Sequence, residues 1–184
     1  MPVWLLFLKV QRVLTDERQK WFILALTVTL VGFFSVWLPH DAAGLSYIGL
    51  EMGEQAKFLP QVRSGEIAPG RWLFYLPPLT IAVHLVLLSA YWQSDRWRHW
   101  LTRLVAIASS LLAFPAIEAL GTEPAEWLWR VIPIGVVILL VIASPLLRRI
   151  PPPLLLIVGI ATAVAGAVFP TWVYLEVRDA FSDI

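Results

Sequence analysis

Long apolar segments are the feature that most constrains the fold of this chain. Five of them, at about residues 21–39, 72–92, 101–120, 131–147 and 153–175, contain few or no charged side chains. At a rise of about 1.5 Å per residue, helices over these segments measure roughly 25–34 Å, close to the roughly 30 Å hydrocarbon core of a bilayer. The segments therefore predict an all-α integral membrane protein with five transmembrane helices.

The composition supports this prediction and excludes several classes of protein. Hydrophobic residues make up 59% of the 184 residues and charged residues only 15%, whereas a soluble domain carries about 25% charged residues. The absence of cysteine excludes disulfides, thiolate metal sites, iron–sulfur clusters and covalently attached haem. A net charge of +1 argues against a nucleic-acid partner.

The orientation follows from the placement of basic residues. If the N-terminus is cytoplasmic, nine of the 14 Lys and Arg residues fall on the cytoplasmic side and five outside. This is the bias typical of multi-pass proteins of the cell membrane. Trp residues lie near the predicted ends of the spans, where the indole ring prefers the headgroup level. The sequence thus predicts a cytoplasmic N-terminus and an outer C-terminus.

The parts outside the five-helix bundle (21–175) are short. Residues 1–20 combine apolar side chains with Lys9 and Arg12, and predict an amphipathic helix on the inner membrane surface. Residues 176–184 form an acidic outer tail.

The outer loop, 40–71, is the largest segment between spans. Glu51, Glu54 and Lys57 have helical spacing on one side, opposite apolar residues. They predict a short amphipathic helix on the outer surface that ends near Pro60.

Polar side chains inside the spans are the candidate ligand-binding residues, because burying them in lipid is costly. His84 is placed about 12 Å from the inner boundary, and hydroxyls of three other helices have nearly the same depth. Glu118 is a separate candidate near the outer end of the third span. The full candidate set is His84, Ser109, Ser110, Thr29, Thr162 and Glu118. Two interpretations are open for His84: a structural hydrogen bond to a neighbouring helix, or a small site for a quinone, a proton or a lipid-derived ligand.

No catalytic, metal or cofactor site is predicted. The three His residues, His40, His84 and His99, have different depths, so they do not form a haem pair within one chain. The sequence contains no nucleophile motif, no glycine-rich phosphate loop and no convincing set of metal ligands.

The fifth span carries a stripe of small residues, Gly159, Ala163 and Ala167, that predicts close packing against another helix. The partner helix belongs either to the same bundle or to another subunit.

These features favour a non-catalytic membrane protein, a structural or accessory subunit of a multi-subunit membrane complex. Its predicted partners are the lipid bilayer and other membrane subunits or copies of itself. Two alternatives remain: an oligomeric small-solute transporter or channel, and a quinone- or lipid-binding membrane protein or enzyme that uses His84.

Overall fold

The computed structural model describes residues 24–39, 46–91, 96–115, 124–147 and 149–182. The described chain is mostly helical. Its α-helices are α1 Leu24–Phe34, α2 Gly49–Gln55, α3 Pro60–Arg63, α4 Leu76–Tyr91, α5 Arg96–Leu111, α6 Pro124–Leu147 and α7 Pro152–Ser182. Two short 3-10 helices, Ala56–Phe58 and Arg71–Tyr75, adjoin α2 and α4. The predicted inner helix at 1–20 lies outside the described residues.

Three helical segments of the described chain are long and apolar enough to cross a membrane. They are Arg71–Ser89, Trp127–Leu147 and Leu154–Phe181, and Leu24–Phe34 is a shorter apolar helix. The prediction of a helical chain is confirmed, and these segments are consistent with membrane insertion.

The first apolar segment ends differently from the prediction. Residues 36–39 form strand β1 (Val36–Pro39), which pairs antiparallel with β2 (Ser46–Ile48). Pro39 disfavours helical geometry at the residue before it, and valine and tryptophan suit a strand. The described part of the predicted all-α chain therefore includes a two-stranded sheet at the end of α1.

Two other helices have shifted boundaries. Helix α5 begins at Arg96, before the predicted span 101–120, and ends at Leu111; Phe114 and Pro115 follow without helical structure. Helix α7 runs without interruption to Ser182, so most of the predicted tail continues the last helix.

Prolines mark where several helices begin. Pro124 begins α6, Pro152 begins α7, and Pro77 and Pro78 lie in the first turn of α4. Proline is tolerated there because the N–H groups of the first turn have no carbonyl partner within the helix, so the missing N–H of proline costs no hydrogen bond. Helix α7 also continues through the internal Pro170.

The contacts between helices define an alternating bundle. Ser109 of α5 donates to the carbonyl of Pro78, and His99 of α5 lies against the carbonyl of Ser89, so α4 and α5 are antiparallel. The same reasoning makes α6 antiparallel to α5, because Arg103 contacts Ser144 whereas the Arg130 side chain reaches the end of α5.

Helix α4 lies at the centre of this bundle, in contact with α5, α6 and α7. Two thirds of the residues in the apolar stretch of Arg71–Ser89 are buried, against one third for Trp127–Leu147 and about a tenth for Leu154–Phe181. One end of the bundle carries α2 and the sheet, and we call it the loop end. At the opposite end lie the C-termini of α4 and α6 and the N-termini of α5 and α7. We call it the arginine end.

The predicted surface helix of the outer loop is instead packed into the loop end. Met52 and Ala56 are fully buried, together with Phe74, Tyr75 and residues near the end of α7. A side chain at Gly49 would meet the carbonyl of Phe33 at 2.6 Å, so glycine allows α2 to approach α1 closely.

Candidate functional site

A groove between α1, α4 and α7 is the candidate binding site. Its volume is about 470 Å³, and it is open along one side. Its walls are mainly apolar, with Leu26 and Phe33 from α1, Ile81 from α4 and Ala167 from α7. The groove brings together two of the predicted site residues, Thr29 and His84.

The threonine hydroxyls that line the groove already donate their hydrogens. Thr29 donates to the carbonyl of Ala25 at 2.9 Å, and Thr171 donates to the carbonyl of Ala167 at 2.7 Å. Thr80 donates across the α4–α7 interface to the carbonyl of Thr162 at 3.2 Å. A hydroxyl has one hydrogen and two lone pairs, so these groups offer a ligand acceptors rather than donors.

The two lining side chains with ring nitrogens are engaged in the same way. Trp37 Nε1 donates to the carbonyl of Gly32 at 3.0 Å. His84 Nδ1 lies 2.7 Å from the carbonyl of Thr80, and Nε2 lies 3.0 Å from that of Gly159. Whichever nitrogen carries the hydrogen, it points to a carbonyl oxygen, which only accepts. The His84 ring therefore lies between the Thr80 carbonyl of its own helix and the Gly159 carbonyl of α7, and it bonds to α7 when Nε2 carries the hydrogen.

A proline that lines the groove removes one backbone hydrogen bond from α7. Pro170 has no N–H to donate to the carbonyl of Gly166, four residues earlier in α7, and both residues line the groove. The groove is therefore an apolar space whose described side-chain donors are all engaged and whose oxygen atoms remain able to accept.

Of the other predicted site residues that the structure describes, Thr162 shares the Gly159 carbonyl with His84, whereas the two serines bond elsewhere. Ser109 donates to the carbonyl of Pro78 on the α4–α5 interface, and Ser110 donates to Ile107 within its own helix. Thr162 donates within α7, to Val158 and Gly159. Glu118 lies outside the described residues.

The small residues of α7 divide between two roles. Gly159 lies against His84, and a side chain at Gly166 would meet Thr80 Oγ1 at 2.3 Å. These glycines set the close α4–α7 contact within the bundle. Ala163 and Ala167 line the groove together with Gly166, and their small side chains leave room between α7 and α1.

The chain matches no protein-family model, no curated protein and no solved structure. The function of the groove must therefore be argued from its geometry.

A second polar site, centred on Arg130 at the loop end, was missed by sequence reasoning, which assigned this residue only to the outer side. Arg130 is 5% exposed. Its Nη1 donates to Glu54 at 2.5 Å, and its Nε and Nη2 donate to the carbonyls of Ala113 and Phe114. The guanidinium carbon lies 3.9 Å from the centre of the Tyr75 ring. Arg130 thus ties α6 to the end of α5 and to the loop helix.

Glu54 connects the remaining parts of this cluster. It accepts a hydrogen bond from Tyr75 and forms an ion pair with Lys57 at 3.3 Å. Burial alone raises the pKa of the Glu54 carboxyl, but the hydrogen bond and charge of Arg130, helped by Lys57, outweigh it and leave this pKa below its ordinary value. The sequence does carry a signal for this site: Arg130 lies within an apolar segment, and a buried arginine needs a polar or charged partner.

Proposed function

We propose that this chain is a five-span protein of the cell membrane that binds a neutral, hydroxyl-bearing lipid-like molecule in the groove. The observation that carries this proposal is the engagement of the groove's side-chain donors, which leaves acceptors such as Thr29 and Thr171. A long-chain alcohol supplies the missing donor, and its chain suits the apolar walls. The volume of about 470 Å³ lies in the usual range for small-molecule sites.

The same comparison of hydrogen-bond donors and acceptors disfavours the other ligand classes. Quinone carbonyls, carboxylates and phosphates need hydrogen-bond donors from the protein. The groove's threonines, Trp37 and His84 direct theirs to backbone carbonyls. A neutral alcohol is the class whose needs match what the groove offers.

Membrane insertion is supported by the apolar surface of the bundle. Leu156, Ile157 and Leu175 on α7, and Leu139 and Ile142 on α6, are each more than half exposed. Such a surface is stable when it faces lipid, whereas large exposed apolar patches are rare on soluble monomers. Helices α4, α5, α6 and α7 alternate in direction, which supports four crossings of the membrane. Helix α1 adds a fifth. Five spans place the termini on opposite sides.

The orientation can be tested directly because the chain has no cysteine. Single cysteines replace Ser64 at the loop end and Arg149 at the arginine end, both of which are exposed. A membrane-impermeant maleimide added to intact cells should label the Ser64 variant and should label the Arg149 variant only after permeabilisation. The reverse pattern, or labelling of both in intact cells, would contradict the proposed orientation.

The binding test uses two photoactivatable probes with the same chain, a diazirine-bearing long-chain alcohol and its methyl ether. In phosphatidylcholine nanodiscs we expect the alcohol to label groove residues several-fold more than the ether, which has no hydrogen to donate. Thr29→Val should reduce labelling by the alcohol. Thr102→Val, which changes a threonine of α5 that bonds only within its own helix, is the control.

A second pair of variants tests the location. Ala167→Phe fills the groove and should abolish labelling, whereas Ala161→Phe places the same ring on an exposed position outside the groove. Equal labelling by both probes would refute the proposal that the ligand is an alcohol. Labelling that survives Ala167→Phe would refute the proposal that the ligand binds in the groove.

The accessory-subunit hypothesis is the second candidate, and the small residues in the groove favour it. Gly32, Ala163 and Ala167 leave space in which a helix of another membrane subunit would pack closely. In that case Ala167→Phe would release a co-purified polypeptide, and neither probe would label the intact complex.

A further inference from the structure

Four described arginines mark the arginine end of the bundle. Arg96 and Arg98 lie in the first turn of α5, Arg103 lies two turns further, and Arg149 follows the end of α6. Arg103 contacts the Ser144 hydroxyl in the last turn of α6. This contact brings α5 to the turn that carries Arg149.

The described residues of the helices that meet at this end contribute no acidic side chain to it; Asp95, next to Arg96 in the sequence, lies outside the described residues. Helices α4 and α5 contain no Asp or Glu, and neither does the chain from 127 to 175. Among the described residues, Arg103 contacts the neutral Ser144 hydroxyl and the Trp100 ring, whose centre lies 5.3 Å from the guanidinium carbon. Its Nε is buried and has no acceptor among the described residues.

The surface next to these arginines is apolar and aromatic. Trp97 is 73% exposed and Trp100 is 56% exposed, and Leu101 and Leu104 continue the exposed surface along α5. Indole rings prefer the headgroup level of a membrane, and leucine side chains prefer the acyl region. Arginines therefore alternate along α5 with aromatic and leucine side chains, so this surface offers partners both to a lipid phosphate and to its chains.

We propose that the arginine end binds the phosphate of an anionic phospholipid. Arg103 and Arg149 contact the phosphate oxygens, since a guanidinium pairs with phosphate through directed N–H groups. Trp100, which packs against Arg103, contacts the headgroup, and Leu104 contacts the acyl chains. This site is separate from the groove and does not depend on the ligand proposed there. Basic positions between membrane helices are typical contacts for anionic headgroups.

The test compares lipids that share their acyl chains. The full chain, purified in a non-ionic detergent, is titrated with phosphatidylglycerol or phosphatidylcholine, and the bound lipid is counted by native mass spectrometry. We expect the wild-type chain to retain phosphatidylglycerol at least about tenfold more than phosphatidylcholine, the scale of a charge-assisted hydrogen bond. Equal retention of the two lipids would overturn the proposal.

Three variants locate the site. Arg103→Gln should remove most of the preference, and Arg149→Gln, an exposed position outside the helices, should reduce it without changing the melting temperature of the lipid-free chain. Arg63→Gln removes the same charge from an exposed position at the loop end and should have no effect. A preference unchanged by Arg149→Gln would place the lipid elsewhere and refute the site.

The source of the phosphate is tested in the same assay. Millimolar inorganic phosphate should leave phosphatidylglycerol bound, because the free ion does not contact Trp100 or the leucines. If inorganic phosphate displaces the lipid and raises the melting temperature as much as phosphatidylglycerol does, the site binds a soluble anion. The lipid proposal is then wrong.

Discussion

Arg130 and Glu54, separated by 76 positions in the chain, form an ion pair with a 2.5 Å contact at the loop end of the bundle. Arg130 is almost fully buried, whereas the Glu54 side chain is 30% exposed. The pair is the point at which the loop helix α2 is joined to α6. Because Arg130 also holds two carbonyls at the end of α5, one guanidinium connects three parts of the fold.

Glu54→Gln should destabilise the protein by leaving the Arg130 charge buried without a carboxylate. Breaking a buried ion pair costs about 3–5 kcal/mol, but the partial exposure of Glu54 reduces this to about 2 kcal/mol. In a chain of this size, that loss lowers the melting temperature by about 4–8 °C. Thermal unfolding in detergent, followed by circular dichroism, measures it.

Glu51→Gln is the matched control for this prediction. Glu51 is exposed, and its carboxylate accepts only a hydrogen bond from the backbone N–H of Ile48 at the start of α2. The expected loss is therefore about 0.5 kcal/mol, as for a helix cap. If both variants lowered the melting temperature equally, the Arg130 contact would not be the source of the stability.

The same carboxyl predicts a pH dependence. The pKa of Glu54 in the folded chain lies below the ordinary value of 4.5, so the unfolded chain binds its proton more readily. The contribution of Glu54 is fully present above the unfolded pKa and is lost as the pH falls through the folded pKa. The wild-type melting temperature should therefore fall toward that of Glu54→Gln as the pH is lowered below about 4.5. A constant difference between the two proteins from neutral to acidic pH would contradict this.

The helical character of the fold could be predicted because it depends on local properties. Apolar segments of sufficient length predicted the regions of α4, α6 and α7 without any knowledge of their neighbours. The end of α1 depended instead on strand pairing between β1 and β2, a contact between separate segments. The burial of Met52 likewise followed from packing against other elements, so helical spacing alone indicated a surface helix.

The candidate site was only partly predictable for a related reason. Depth along the membrane placed Thr29 near His84, but depth gives no direction around a helix axis. Ser109 therefore faces α4, whereas the Thr162 hydroxyl bonds to the same Gly159 carbonyl that faces His84. The Arg130 pair required knowing that the outer loop folds back over the end of α6.

Gly166→Ala tests the close approach of α4 and α7. The added methyl group would lie 2.3 Å from Thr80 Oγ1 and 2.9 Å from Thr80 Cβ, and a β-branched side chain has little freedom to move away. We expect a loss of about 1–3 kcal/mol from this overpacking. Gly135→Ala in α6 is the control, because nothing lies within 4 Å of its added methyl group. It should be neutral or stabilising by up to about 1 kcal/mol. Equal thermal stabilities of the two variants would refute the tight contact.

His84→Leu separates the structural role of the imidazole from ligand binding. The variant loses the contacts of the ring with the carbonyls of Thr80 and Gly159, while Thr162 continues to donate to Gly159. Hydrogen bonds between membrane helices contribute about 0.6–1.7 kcal/mol, so the melting temperature should fall by a few degrees and the protein should remain extractable. Labelling by the alcohol probe should persist, because the ring donates to the backbone rather than to the ligand. Unchanged stability together with lost labelling would show that His84 binds the ligand directly.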